Sequence, residues 1–197
     1  MSTGSLIDAG GRLMRRPLVA RVMAARGGAL VVTGLGAPTY DVAAAGEDGR
    51  NFHFWGAMGL AASAGLGLAM ARPGTRVLVV TGDGEMMMGV GSLATIANIA
   101  PSNLGILVLD NQSFGETGEQ SGLTAGPTDI AAMATGAGIA DAEYIEGENR
   151  IEAMIGALYK HPGPVVRVAR IAPGEDPKVL PEWDGPTQVR TFRQTLS

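Results

Sequence analysis

Apolar residues fall into two patterns along the chain. Short apolar runs at 29–32, 77–80, 105–109 and 164–169, rich in Val, Leu and Ile, have the length and branching of strands buried on both faces. A shorter run at 51–54 and the pair Tyr144-Ile145 mark two more strands. Between them the spacing turns helical. Residues 13–26 place Leu13, Val19, Val22 and Met23 on one side with Pro17 in the first turn, and 89–98 do the same with Leu93, Ile96 and Ala97. Further helices are expected over 129–135 and 148–159, the second beginning after Gly147. Strands alternating with helices require crossover connections, which predicts an α/β fold: a three-layer αβα sandwich with a mainly parallel sheet.

One stretch is apolar without being a strand. Residues 54–71 carry no charge and are nearly long enough to cross a bilayer. They are rich in Gly and Ala, lie between His53 and Arg72-Pro73, and lead straight into a strand, so a helix buried on all sides is expected and a membrane role is not.

With 197 residues there is room for one domain. The expected division is a flexible tail at 1–12, a domain at 13–172, and a Pro-, Gly- and charge-rich tail at 173–197 that packs on the domain or a partner. A net charge of −4 with no basic run removes nucleic acid as a partner. The absence of cysteine excludes disulfides, zinc thiolates and iron–sulfur clusters. No apolar core follows Met1, which makes the cytoplasm the expected location.

The chemistry gathers where two apolar runs end. After 77–80 comes Thr81-Gly82-Asp83-Gly84-Glu85, and after 105–109 comes Asp110-Asn111-Gln112-Ser113. A right-handed crossover sets the two carboxyl ends side by side. The Asp83 carboxylate, the Asn111 amide oxygen and a backbone carbonyl such as that of Ser113 are hard oxygen ligands of the kind Mg²⁺ takes. Gly82 and Gly84 let backbone N–H groups approach an anion at the start of a helix. Together they describe a metal-bridged diphosphate site.

Gly82-Asp83-Gly84, 25 residues, then Asp110-Asn111 resembles the signature of the thiamine diphosphate (ThDP) enzymes. Asp110 stands where Asn is commoner, and the ligand position Asn111 is intact. The resemblance implies the pyrophosphate-binding domain of the ThDP-binding fold, with Asp83, Asn111 and the Ser113 carbonyl on Mg²⁺. It also implies that Gly56-Ala57-Met58-Gly59 cradles the aminopyrimidine ring: the Gly56 carbonyl and Met58 N–H bond its edge, and the Met58 side chain supports the bent cofactor. Residues 113–127, beginning Ser113-Phe114-Gly115, are expected to close over the thiazolium. Gly34, in the turn after 29–32, is either a second wall of the diphosphate site or part of an ordinary strand-to-helix turn. Glu85 follows the motif where a small residue is more usual; it either caps the helix or must point away from the diphosphate.

His53, beside the ring-binding element, is open to two readings, a substrate contact or proton shuttle and a satisfied histidine at a strand end. Arg50 is expected to be the nearest cation to the proposed site and is open to two readings, a contact to an anionic substrate tail and a plain surface residue. Gly89-Val90-Gly91-Ser92-Leu93-Ala94 imitates a dinucleotide fingerprint but begins too far from its strand.

In the ThDP family a glutamate on a separate pyrimidine-binding domain activates the cofactor, and this length leaves no room for that domain. The resemblance therefore implies a pyrimidine-binding α-type partner subunit in an α2β2 or larger heteromer. Among split members the chain is most similar to the β-type halves of sulfopyruvate and phosphonopyruvate decarboxylases, carboxy-lyases that release CO₂ and an aldehyde from a small 2-oxo acid. The alternatives are a ThDP-dependent carboligase or synthase subunit, an NAD-dependent oxidoreductase, and a non-catalytic partner subunit.

Overall fold

A computed structural model describes residues 5–196. Its elements, in chain order, are α1 (Arg15–Ala24), β1 (Leu30–Thr33), α2 (Ala37–Ala45), β2 (Asn51–His53), α3 (Ala61–Ala71), β3 (Val77–Gly82), α4 (Asp83–Met88), α5 (Ser92–Ile99), β4 (Leu104–Asp110), β5 (Ser113–Phe114), β6 (Gln120–Ser121), α6 (Ile130–Gly136), β7 (Asp141–Ile145), α7 (Ile151–Lys160), β8 (Val165–Arg170) and α8 (Gly185–Gln194). Six strands form one parallel sheet in the order β2-β1-β3-β4-β8-β7, and β5 with β6 make a small antiparallel hairpin.

The sheet is covered on both faces, and the strand sequences show why. Alternate residues of β3 point opposite ways: Val77 and Val79 pack with α3, α5, α6 and α8, while Leu78 and Val80 pack with α1, α2 and α7. Both faces being dry, every position from Val77 to Val80 is apolar, as the uninterrupted runs predict. β8 carries one exception. Its buried Arg167 reaches Asp141 on the neighbouring strand at 2.5 Å, which supplies the opposite charge that burial demands.

Three expectations change. The single helix over 89–98 becomes two: α4 starts on Asp83 itself, and after a break at Gly89 α5 runs from Ser92. Residues 37–45 form a helix that the Gly- and Pro-rich turn before it concealed. The apolar stretch 54–71 is helical only from Ala61, and Ser63, Gly67 and Met70 are exposed rather than buried on all sides. Its small residues serve contact on one side, where Gly65 lies so close to Val79 that a methyl group would collide with it. No helix among the described residues is long and apolar enough to cross a membrane.

The ends of the chain complete the fold. Residues 1–4 of the expected tail lie outside the described residues; from Ser5 the chain turns back on itself, and Leu13 bridges both Ile7 and Ile171. Within 173–197, α8 packs on the edge strand β2, with Phe192 edge-on to Phe52 at 5.4 Å and Gln188 accepting the His53 backbone N–H.

Candidate active site

β3 and β4 are adjacent and in register, Gly82 beside Leu109, so the residues after them converge at the carboxyl edge of the sheet. A cavity of about 220 Å³ opens there. Met58, Gly82, Asp83, Gly84, Glu85, Asn111, Ser113, Phe114 and Gly115 all line it. Nine residues expected at the site from three separate stretches thus share one wall system. Gly34 and Gly56 are not among the lining residues. His53 is buried behind α2, its Nδ1 3.0 Å from the Thr33 hydroxyl and its Nε2 3.6 Å from Glu47, and does not line the cavity. Arg50 lies before β2, at the opposite end of the strand from the cavity, and is held by Asp48 and the Gly27 carbonyl. It is therefore not the cation nearest the site.

The corner around Asp110 and Asn111 is built by the chain's own turns. Gln112 adopts a left-handed conformation, φ 64°, which bends the strand exit so that the Ser113 N–H reaches the Asn111 amide oxygen at 3.0 Å and the Gln112 N–H reaches Asp110 at 3.1 Å. Such a conformation is costly for a residue with a side chain and is found where surrounding contacts hold it. Asp110 is fully buried beneath the turn, bound by the Tyr144 hydroxyl at 3.1 Å and by Arg170 at 3.3 Å. It is a hub under the site. The glycines of the apparent dinucleotide fingerprint lie between α4 and α5, a helix away from the strand end.

Thr124, from the segment after β6, was not legible in the sequence. Its hydroxyl lies 2.9 Å from Asp83 Oδ2 and 2.7 Å from Asp110 Oδ1. One hydroxyl carries one proton, so it can donate to only one of the two carboxylates. Asp110 has Arg170 to balance it; Asp83 has no cation among the described residues. Burial pushes the Asp83 carboxyl up from 3.8 to about 6; the Thr124 hydroxyl and the Gly84 N–H oppose the rise and the charge of Asp110 adds to it. A buried carboxylate that is short of positive charge and lines the same cavity as Asn111 and Ser113 belongs to an oxygen donor set that fits a divalent cation.

Of the two readings of Glu85, the structure takes the second. The residue is buried, and its carboxylate turns away from the start of α4 to accept the Gly59 and Ala61 backbone N–H groups, each at 3.2 Å. Two cations that sequence order could not place do line the cavity: Arg15, already bound to Asp41 and Asp176, and Lys178, 2.9 Å from Glu116 and over the ring of Tyr40.

The family profile described as "Thiamine pyrophosphate enzyme, C-terminal TPP binding domain" matches residues 39–168. The chain is 37% identical over 110 residues to a protein of Methanocaldococcus jannaschii named sulfopyruvate decarboxylase subunit beta, a match covering 56% of this chain and 58% of that protein. It is 38% identical to a phosphonopyruvate decarboxylase of Streptomyces viridochromogenes over 68% of this chain and 35% of the relative. The structure is similar in fold to benzoylformate decarboxylase from Polynucleobacter necessarius, with a TM-score of 0.77 and 16% identity, covering 90% of this chain and 36% of that one.

Proposed function

Because the chain belongs to the thiamine pyrophosphate enzymes and carries their C-terminal TPP-binding domain, we propose that it is the β-type subunit of a split, ThDP- and Mg²⁺-dependent 2-oxo acid decarboxylase of the sulfopyruvate or phosphonopyruvate kind, releasing CO₂ and an aldehyde. The observation that carries the reading is the convergence of Asp83, Asn111 and Ser113 on one cavity whose wall also includes Met58. Asp83, the Asn111 amide oxygen and the Ser113 carbonyl would hold Mg²⁺; Gly82 and Gly84 would admit the diphosphate. Met58 would back the ring, with Gly56 at its edge and Gly34 one layer further out. Bound there, ThDP would supply the electron sink that loss of CO₂ requires.

The chain's own residues do the rest. Leu35, Pro38, Leu109 and Phe114 give the cavity apolar surface that keeps water away from the reacting centre. The hairpin of β5 and β6 brings the segment ending in Thr124 onto Asp83, which fixes that carboxylate in place. The likeness in fold covers 36% of the benzoylformate decarboxylase chain. The glutamate that activates the pyrimidine ring is proposed to come from an α-type partner in a cytoplasmic heteromer, α2β2 or larger.

Co-expression with the neighbouring reading frame, followed by native mass spectrometry with ThDP and Mg²⁺, tests this directly. A heteromer that carries the cofactor and releases CO₂ from sulfopyruvate or phosphonopyruvate is expected. A complex that instead joins the 2-oxo acid to an added aldehyde would make it a carboligase. No cofactor in any assembly would overturn the reading.

A further inference from the structure

We propose that Glu85 is a positioning residue: its carboxylate fastens the loop carrying Met58 to the helix that begins at Asp83, so the ring-side and metal-side walls of the cavity behave as one body. The ligand half of this inference rests on the proposed ThDP function; the fastening itself does not.

Glu85 is only 4% exposed, and among the described residues no cation is paired with it. A buried carboxylate without a cation is costly unless hydrogen bonds satisfy it. Here one oxygen takes both the Gly59 and the Ala61 N–H groups, and the other accepts the Thr81 hydroxyl from the end of β3. The carboxylate therefore joins the end of β3, the first turn of α4, the loop at 54–60 through Gly59 and the first residue of α3 through Ala61.

The same loop touches the far end of α4. A methyl group on Gly59 would come within 2.9 Å of the Gly89 nitrogen, and one on Gly89 would collide with the Gly59 carbonyl. Gly34 leaves room from the other side, since a methyl group there would strike the Glu85 carboxylate. The loop needs such anchorage because Ala57, next to Met58, is left-handed at φ 57°. A small residue at position 85 could not reach Gly59 and Ala61. Whatever orders α4 through Asp83 must then order the backbone around Met58, which links affinity at the two ends.

The test compares wild type, Glu85→Ala and Glu85→Gln by amide hydrogen exchange in NMR and by calorimetric binding of two probes, Mg²⁺–ThDP and Mg²⁺–pyrophosphate. The second probe lacks the ring. In ligand-free wild type the Gly59 and Ala61 amides are expected to exchange at least tenfold more slowly than that of Met58. Glu85→Ala is expected to lose this protection and to weaken Mg²⁺–ThDP at least tenfold while changing Mg²⁺–pyrophosphate less than twofold. Glu85→Gln keeps an acceptor oxygen and should restore most of both.

Unprotected Gly59 and Ala61 amides in wild type would overturn the proposal, and that reading is available even if Glu85→Ala does not fold. Equal loss of both probes in Glu85→Ala would overturn it too, because the residue would then act only at the diphosphate. Binding of neither probe by wild type, alone or with its partner subunit, would count against the function and leave the exchange comparison to decide the fastening.

Discussion

Asp83 concentrates the conflict on which the site depends. Without a cation its burial favours the protonated form, so the folded-state pKa of about 6 stands above the value of 3.8 for a free carboxyl. The stabilising contribution of a raised group is full below 3.8 and is lost as pH rises through about 6; the metal-free protein should therefore lose on the order of 3 kcal/mol from this residue across that interval. Asp83→Asn removes the penalty. Thermal melts of metal-free protein should show the variant several degrees more stable than wild type at pH 7 and level with it near pH 4. In calorimetry at pH 7 the same variant should lose Mg²⁺-dependent ThDP binding by a hundredfold or more. A variant less stable than wild type at pH 7 would mean that Asp83 is compensated by a contact other than those described. Asp83 and Asn111 could be picked out from the sequence because their spacing mirrors a strand–helix–strand unit. Thr124 could not, since a threonine in an irregular segment carries no periodicity and gains its meaning only when folded against two carboxylates.

Elements differ in how much their letters reveal. In α3 the glycines look alike, yet Gly65 lies against Val79 while Gly67 has nothing within 4 Å. Gly65→Ala should destabilise by about 1–3 kcal/mol through overpacking. Gly67→Ala should stabilise by about 0.5–1 kcal/mol through reduced freedom of the unfolded chain and better helix propensity. Urea unfolding of both variants measures the contrast, and equal effects would mean that α3 does not pack on β3 as described. α8 had a start signal that its Pro- and Gly-rich surroundings hid: Asp184 caps the Thr187 N–H at 2.9 Å and Pro186 lies in the first turn. Phe192→Ala, removing the ring packed on Phe52, should cost about 3 kcal/mol in the same assay and loosen β2, whose last residue leads into the Met58 loop.

As a whole molecule, the chain presents its cavity at the carboxyl edge of the sheet with Met58 of its wall left exposed, and Leu60, Met88 and Leu123 are further large apolar side chains exposed on its surface. Purified alone it should show no ThDP-dependent CO₂ release from any 2-oxo acid, and turnover should appear on addition of the partner subunit; turnover by the chain alone would remove the need for a second polypeptide. By itself the sequence determined the layer architecture, because strands dry on both faces must be apolar throughout, and it determined the Asp83–Asn111 pair, because a crossover of that length leaves the two strand ends adjacent. What it could not determine is which distant residues meet. Thr124 under Asp83, Arg170 on Asp110, Arg15 and Lys178 at the cavity, and Glu85 holding Gly59 and Ala61 are contacts between elements far apart in the chain or turned by a single rotamer. Local pattern records which face of an element is buried, whereas partner and direction are set only when the sheet order and the close approach of backbones fix them in space.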